Sequence, residues 1–144
     1  MGASTDWKNK MLLAFFNNTA ITGVTQGAAS AGSLYCALHT GDPTAGTQST
    51  NEVSYTGYAR VAVARTSGGW TVATNNASNT AEVQWPQCTA QPGSTLTATY
   101  WSIGTGASGS TQLMYSGLID NSGVIININT EPTADANDLD TNAV

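Results

Sequence analysis

The chain is short of charge. Only 9% of its 144 residues are Asp, Glu, Lys or Arg, against about 25% in an ordinary soluble domain. The bases are four, Lys8, Lys10, Arg60 and Arg65, and the formal net charge is −5. So few cations cannot neutralise a run of phosphates, which excludes a nucleic-acid interface built on counterion release. The same scarcity argues against an anionic membrane surface. No apolar run approaches the 18 residues or so that a spanning helix needs. The N-terminal Met11–Phe16 run is too short for a signal peptide and no cleavage site follows it, so synthesis in a cytoplasm is expected. One histidine, His39, and two cysteines, Cys36 and Cys88, cannot assemble a structural zinc site without other ligands. Both cysteines lie beside expected strands and read as small buried hydrophobes, with a disulfide as the alternative.

Thr, Ser, Asn, Gly and Ala fill the space that charge leaves. At 40% hydrophobic residues, the chain suffices for one core in a single domain. The Trp, Tyr and Val content argues against disorder. A surface with few charges to desolvate also suits packing against copies of itself.

Ser4 or Thr5 is placed to cap a helix from Asp6 to Asn17, with Asp6 favourably in the first turn. Trp7, Met11, Leu12, Phe15 and Phe16 form its apolar stripe. The expectation is a helix packed through Trp7, Met11 and Phe15, either on its own sandwich or on a neighbouring subunit. Residues 17–33 read as a connection.

From Leu34 onward the pattern changes to short alternating segments. Strands are expected at Leu34–His39, Ala59–Arg65, Trp70–Thr74, Ala81–Trp85, Thr95–Ile103, Gln112–Leu118 and Val124–Ile128, separated by Gly, Pro, Asn and Asp clusters. In the second of these, Val61 and Val63 share one face and Arg60, Ala62 and Ala64 the other. Asn75–Asn79 and Asp120–Gly123 read as turns, and Pro86 ends its strand. The fold expected is all-β: a single β-sandwich, jelly-roll or Ig-like, of about seven to eight strands, with one N-terminal helix and an extended C-terminal arm. Its parts are 1–33 (helix and connecting loop), 34–129 (sandwich) and 130–144 (acidic arm).

The arm holds Glu131, Asp135, Asp138 and Asp140 but only one large apolar side chain, Leu139. It cannot order itself against fixing costs of ~1–2 kcal/mol per residue. A contact with another chain is therefore expected, Leu139 anchoring it and Asp135, Asp138 and Asp140 facing polar or basic groups. With Trp7, Met11 and Phe15 these form the expected partner interface. The arm lacks the central Gly and final Glu of an EF-hand loop, so calcium is not expected.

Catalytic patterns fail in turn. Gly104–Gly109 matches G-x-G-x-x-G, but a strand-like segment follows where a dinucleotide site needs a helix N-terminus, so it reads as a hairpin turn. His39 has Asp42 three residues away but no G-x-S-x-G elbow, and reads as a strand-end residue at the sheet surface. Asp42, Glu52, Glu82 and Asp120 form no evident acid/base pair. Tyr35, Tyr55, Tyr58, Tyr100, Trp101 and Tyr115 offer faces of the kind on which sugars stack, yet such residues more often fill a core or anchor an interface. No enzyme, cofactor or metal is expected.

The stretches LY-x-ALHT-x-DP from Leu34, EVSYTGYAR-x-AV from Glu52 and YWSIGTGASGSTQLMYSGLI from Tyr100 resemble a family of small tailed-phage virion proteins. Its members are known as tail or tail-fibre proteins, and some decorate heads. The likeness runs from the Asp6–Phe16 segment to about Ile128 and does not include the arm. It implies a structural protein of the virion, assembled in the host bacterial cytoplasm. Its partners would be the major capsid protein or other virion proteins, self-association included, with no nucleic acid and no membrane. The first expectation is capsid decoration that stabilises the head lattice. The alternative is a tail or tail-fibre accessory, including a carbohydrate-binding module of the adsorption apparatus. Cytoplasmic assembly implies that Cys36 and Cys88 are free thiols in the particle.

Overall fold

A computed structural model describes residues 2–24, 27–120 and 122–142. The expected connection 17–33, turn 120–123 and arm 130–144 extend over residues 25, 26, 121, 143 and 144, which lie outside the described set. In chain order the elements are helix α1 (Thr5–Phe16) and strands β1 (Ser33–His39), β2 (Val61–Ala64), β3 (Trp70–Ala73), β4 (Asn76–Asn79) and β5 (Val83–Gln84). They continue with β6 (Leu96–Ala98), β7 (Tyr100–Gly104), β8 (Leu113–Leu118), β9 (Val124–Ile126), β10 (Thr133–Ala134) and β11 (Thr141–Asn142). The fold is all-β and sandwich-like with one helix, its strands shorter and more numerous than the seven or eight expected.

The largest sheet has the order β2-β1-β7-β8, antiparallel throughout. β1 lies inside it, pairing Cys36 with Val61 of β2 and Leu38 with Trp101 of β7. From Cys36 to His39 every residue of β1 is buried, because the strand is covered on both faces. The second sheet runs β11-β4-β3, and two-stranded ribbons β10-β5 and β6-β9 complete the layers. Leu38, Ile103, Trp70, Trp85, Ile126 and Leu139 meet in the core between them. The Trp85 indole N–H donates to the Cys36 carbonyl at 3.1 Å, so its burial carries a satisfied donor. Cys36 and Cys88 are buried and unpaired.

Helix α1 starts where its cap demands: the Trp7 amide donates to Ser4 Oγ at 3.2 Å. It ends with the Asn17 amide on the Leu13 carbonyl and Asn18 at φ 53°, a conformation Asn tolerates. The packing face differs from the expected one. Leu12 and Phe16 are buried, while Trp7 and Phe15 are exposed. At about 3.6 residues per turn, the stripe is two adjacent rows. The row of Leu12 and Phe16 enters the core, where the Phe16 ring meets Trp70 edge-on with centroids 4.9 Å apart. The row of Trp7, Met11 and Phe15 is left at the rim.

Two strand boundaries also moved. The segment expected to be a turn at Asn75–Asn79 contains β4. The hairpin turns one step earlier, at Thr74 and Asn75, whose φ values of 50° and 67° make the tight two-residue loop. The long strand expected at Thr95–Ile103 divides at Thr99: β6 pairs with β9, whereas β7 pairs with β1 and β8.

The C-terminal segment is the main correction. Its described residues are not an extended arm but pair within the chain. β10 pairs with β5, β11 pairs with β4, and Leu139 is 1% exposed within the chain's own core. The hydrogen bonds that the arm was expected to borrow come from Asn79, itself fully buried. Asn79 Nδ2 donates to the Asp135 carbonyl at 2.7 Å, its Oδ1 accepts the Leu139 amide at 2.9 Å, and its own carbonyl accepts the Asn137 amide at 2.9 Å.

Candidate interaction surfaces

The expected partner residues occupy two separate places. Trp7, Met11 and Phe15 line an open groove of about 450 Å³ together with Ile21, Val24 and Arg65. Trp7 is 36% and Phe15 47% exposed, and Val24 across the groove is 66% exposed. Among the described residues no acid lines it. Arg65 holds its floor: Nε donates to the Phe15 carbonyl at 2.6 Å and a terminal nitrogen to the Ala14 carbonyl at 2.8 Å. A cation on the open carbonyls of a helix C-terminus is favourably placed. The groove is therefore apolar in most of its wall, with Asn18, Thr19 and Arg65 as its polar groups.

Asp135, Asp138, Leu139 and Asp140 serve the chain's own fold instead. Leu139 is in the core. Asp138 Oδ2 accepts the Asp135 amide at 2.9 Å, closing a local turn, and Asp140 Oδ1 accepts from the Asn76 side chain. Asp138 and Leu139 also border a small pocket beside Trp101. The three carboxylates remain exposed at the surface.

His39 is fully buried, contrary to the surface position expected of it. Nδ1 lies 2.8 Å from the Thr50 carbonyl and Nε2 2.7 Å from Ser102 Oγ. A carbonyl only accepts, so Nδ1 carries the proton and Nε2 accepts the Ser102 hydroxyl. Ser102 is also fully buried. The pair resembles half of a hydrolytic triad, but no substrate can reach it, and it pins the 40–52 loop to β7.

Around it lies a polar cluster that sequence reading missed. Arg60, expected on the same face as Ala62 and Ala64, is buried. Its Nε and one terminal nitrogen grip both Glu52 oxygens at 2.7 Å. The other terminal nitrogen donates to Gln48 Oε1 and the Gly106 carbonyl at 3.2 and 2.9 Å, and the one on Glu52 also donates to the Gly109 carbonyl at 2.8 Å. Tyr58 donates to Glu52 Oε1 at 3.0 Å and accepts the Leu38 amide at 3.1 Å. The glycine-rich 104–109 segment is thus the hairpin turn expected, and its carbonyls are ligands for a guanidinium. The signal in the sequence was the isolated opposite charges Glu52 and Arg60 in a chain with so few. Asp42, in the Thr-Gly-Asp-Pro turn, accepts the Thr44 amide and hydroxyl at 2.9 and 2.7 Å, which holds its carboxyl below the usual range. Among the described residues no His, Cys, Asp and Glu side chains cluster as a metal site, and no helix is long and apolar enough to cross a membrane.

A search of curated proteins finds no match to this chain. A family model does match, and it spans residues 2–142, from before the α1 cap to the end of β11. The match covers the segment beyond Glu131 as well, in keeping with the place of β10 and β11 inside the fold. The chain belongs to the podophage GP4 fiber I protein gp80 family.

Proposed function

We propose that the protein is a non-catalytic structural component of a bacteriophage tail fibre or tail, attached to a neighbouring virion chain through the Trp7–Met11–Phe15 groove. The observation that carries this reading is the fibre-family match over 2–142. The groove supports it, being largely apolar and free of acids among the described residues, with Arg65 bonded to the end of α1. Aromatic residues at a fixed concave surface are the usual anchors of an interface. The burial of the one His–Ser pair supports a role without catalysis.

Capsid decoration is the less supported position within the virion. The family matched is a fibre family, and the C-terminal segment expected to reach a neighbour is satisfied by β4, β5 and Asn79 of the same chain. Copy number and location separate the two. In purified virions the protein should be far scarcer than the major capsid protein, and gold-labelled antibody should mark tails. Particles lacking it should keep intact, thermally normal heads and fail to adsorb. Abundance comparable to the major capsid protein, with label over the heads, would overturn the fibre assignment in favour of decoration.

A further inference from the structure

The main sheet ends at β2 on one side and at β8 on the other, and the two edges are finished differently. β2 has four residues and stands between Arg60 and Arg65. Its end is closed: the Ala64 carbonyl accepts the Thr66 amide at 2.9 Å, and Gly69 packs against that carbonyl with no room for a Cβ. Shortness, flanking charge and a covering turn are usual protections of an edge strand. β8 has six residues, Leu113-Met114-Tyr115-Ser116-Gly117-Leu118, with no charge and no proline. A bulge interrupts its pairing at one end, where Ile103 stands against Tyr115 but Gly104 against Leu113. From Tyr115 to Leu118 the register is unbroken.

The ladder fixes which way each peptide group points. The Ile119 amide donates to the Thr99 carbonyl at 2.8 Å, so it faces the body of the sheet. Backbone groups alternate in direction along a strand. Gly117 and Tyr115 therefore face β7, where they stand against Trp101 and Ile103. The N–H and C=O groups of Ser116 and Leu118 point the other way, off the edge. On that side neither residue bonds to the backbone of a described residue. The Leu118 side chain is itself 59% exposed. β8 is also separate from the α1 groove, whose lining includes none of its residues.

We propose that β8 is a self-pairing edge, through which two copies of the chain join antiparallel about a two-fold axis at Gly117. A free row of peptide groups is completed by another strand, and identical strands paired antiparallel meet the self-complementarity that a two-fold interface demands. In this register Ser116 of one copy and Leu118 of the other exchange both backbone hydrogen bonds, and the axis repeats the exchange. Only the unbroken part of the strand is used. Gly117 meets its counterpart in the close, non-hydrogen-bonded position, and the Trp101 indole already fills the space a Cβ there would take. The two exposed Leu118 side chains become diagonal neighbours across the axis, within reach of each other. Asp120, the nearest charge along the chain, falls opposite position 114 of the second copy and not opposite its own counterpart. The edge, its glycine and its leucine are thus matched by their own two-fold images, which selects a second copy over an unrelated strand.

The test uses the full-length chain in sedimentation velocity over a range of concentrations, with amide hydrogen exchange read residue by residue. The chain should associate reversibly to a dimer. Ser116 and Leu118 should exchange fast when dilute and become protected as the dimer forms, while Tyr115, Gly117 and Ile119 stay protected throughout. Leu118→Lys places a charge on the edge, and Ser116→Pro removes an outward N–H that the β7 ladder does not use. Each should raise the dimer Kd by about tenfold or more, with protection of Tyr115 and Gly117 showing that the fold is kept. Phe15→Ala should leave the dimer unchanged. A chain that stays monomeric, or a dimer indifferent to both edge variants, would overturn the proposal. So would a dimer lost in Phe15→Ala and kept in Leu118→Lys, which would move self-association to the groove. Protection of Ser116 and Leu118 in virions but never in the isolated chain would assign the edge to another protein's strand and overturn self-pairing. The result is distinguishable from the fibre reading: a protein found on heads loses the fibre assignment and keeps the paired edge.

Discussion

At the scale of single residues, the informative positions are polar groups in places where the composition suggests apolar ones. Burial lowers the His39 pKa from 6.5, partly opposed by the Thr50 carbonyl and the Glu52 charge, with Arg60 adding to the lowering. The unfolded chain takes up its imidazole proton near pH 6.5, while the folded chain takes it up only at lower pH. Between those values the unfolded state binds more protons, so stability falls as pH drops through 6.5 and levels off below the folded midpoint. Because His39 is the only histidine, a fall between pH 7 and 5.5 belongs to it. Urea unfolding across that range should show the slope in the native chain and lose it in His39→Gln. The imidazole proton resonances of the folded chain should titrate below 6.5, and a midpoint above 6.5 would refute the assignment.

At the scale of elements, α1 and the C-terminal segment lead to opposite kinds of prediction. Helix α1 presents two rows of apolar side chains, and only one is structural. Leu12→Ala should cost about 2–5 kcal/mol in a denaturant titration, the usual range for a large-to-small change in a packed core. Phe15→Ala should cost no more than about 0.5 kcal/mol, as an exposed position does, while reducing incorporation of the protein into particles. Equal stability losses would mean that the helix packs as a whole and that the groove is not a spare surface. For the C-terminal segment, removing residues 131–144 strips β10 and β11 from the fold and leaves the buried Asn79 Oδ1 without the Leu139 amide it accepts. Thermal unfolding of the truncated chain should begin well below that of the intact one. Leu139→Ala alone should cost about 2–5 kcal/mol. An unchanged melting temperature after truncation would restore the view of an independent arm.

At the scale of the whole molecule, the two thiols report how completely the fold closes. Cys36 is fully buried and its pKa is pushed up to about 12 by that burial, which suppresses the reactive thiolate. Cys88 is equally buried, its Sγ directed at the Ala90 carbonyl. Iodoacetamide should leave both unmodified in native protein and modify both after denaturation without reductant, as read by intact mass. Rapid native labelling of Cys36 would mean that the β1 face opens. Failure to label after denaturation would reveal a disulfide.

What the amino-acid sequence determined by itself follows from local rules. Ser4 and Asp6 announce the helix start, alternation and Gly-Pro-Asn punctuation announce a β fold, and scarce charge argues against a phosphate-binding surface. Each depends on residues a few positions apart, where spacing and chemistry suffice. Only the tertiary structure decided which row of α1 faces inward, because both rows carry large apolar side chains and it is the row of Leu12 and Phe16 that is buried. It also decided the fate of the last segment: Ala134, Leu139 and Thr141 stand in a stretch with too little hydrophobicity to predict burial, and their partners, Val83, Asn79 and Ala77, lie 50 or more residues away. The same holds for His39 against Ser102, Arg60 against Gly106, and Trp101 against Gly117. A contact between distant residues leaves no periodicity in either segment, so its meaning is set by the fold that brings the two together.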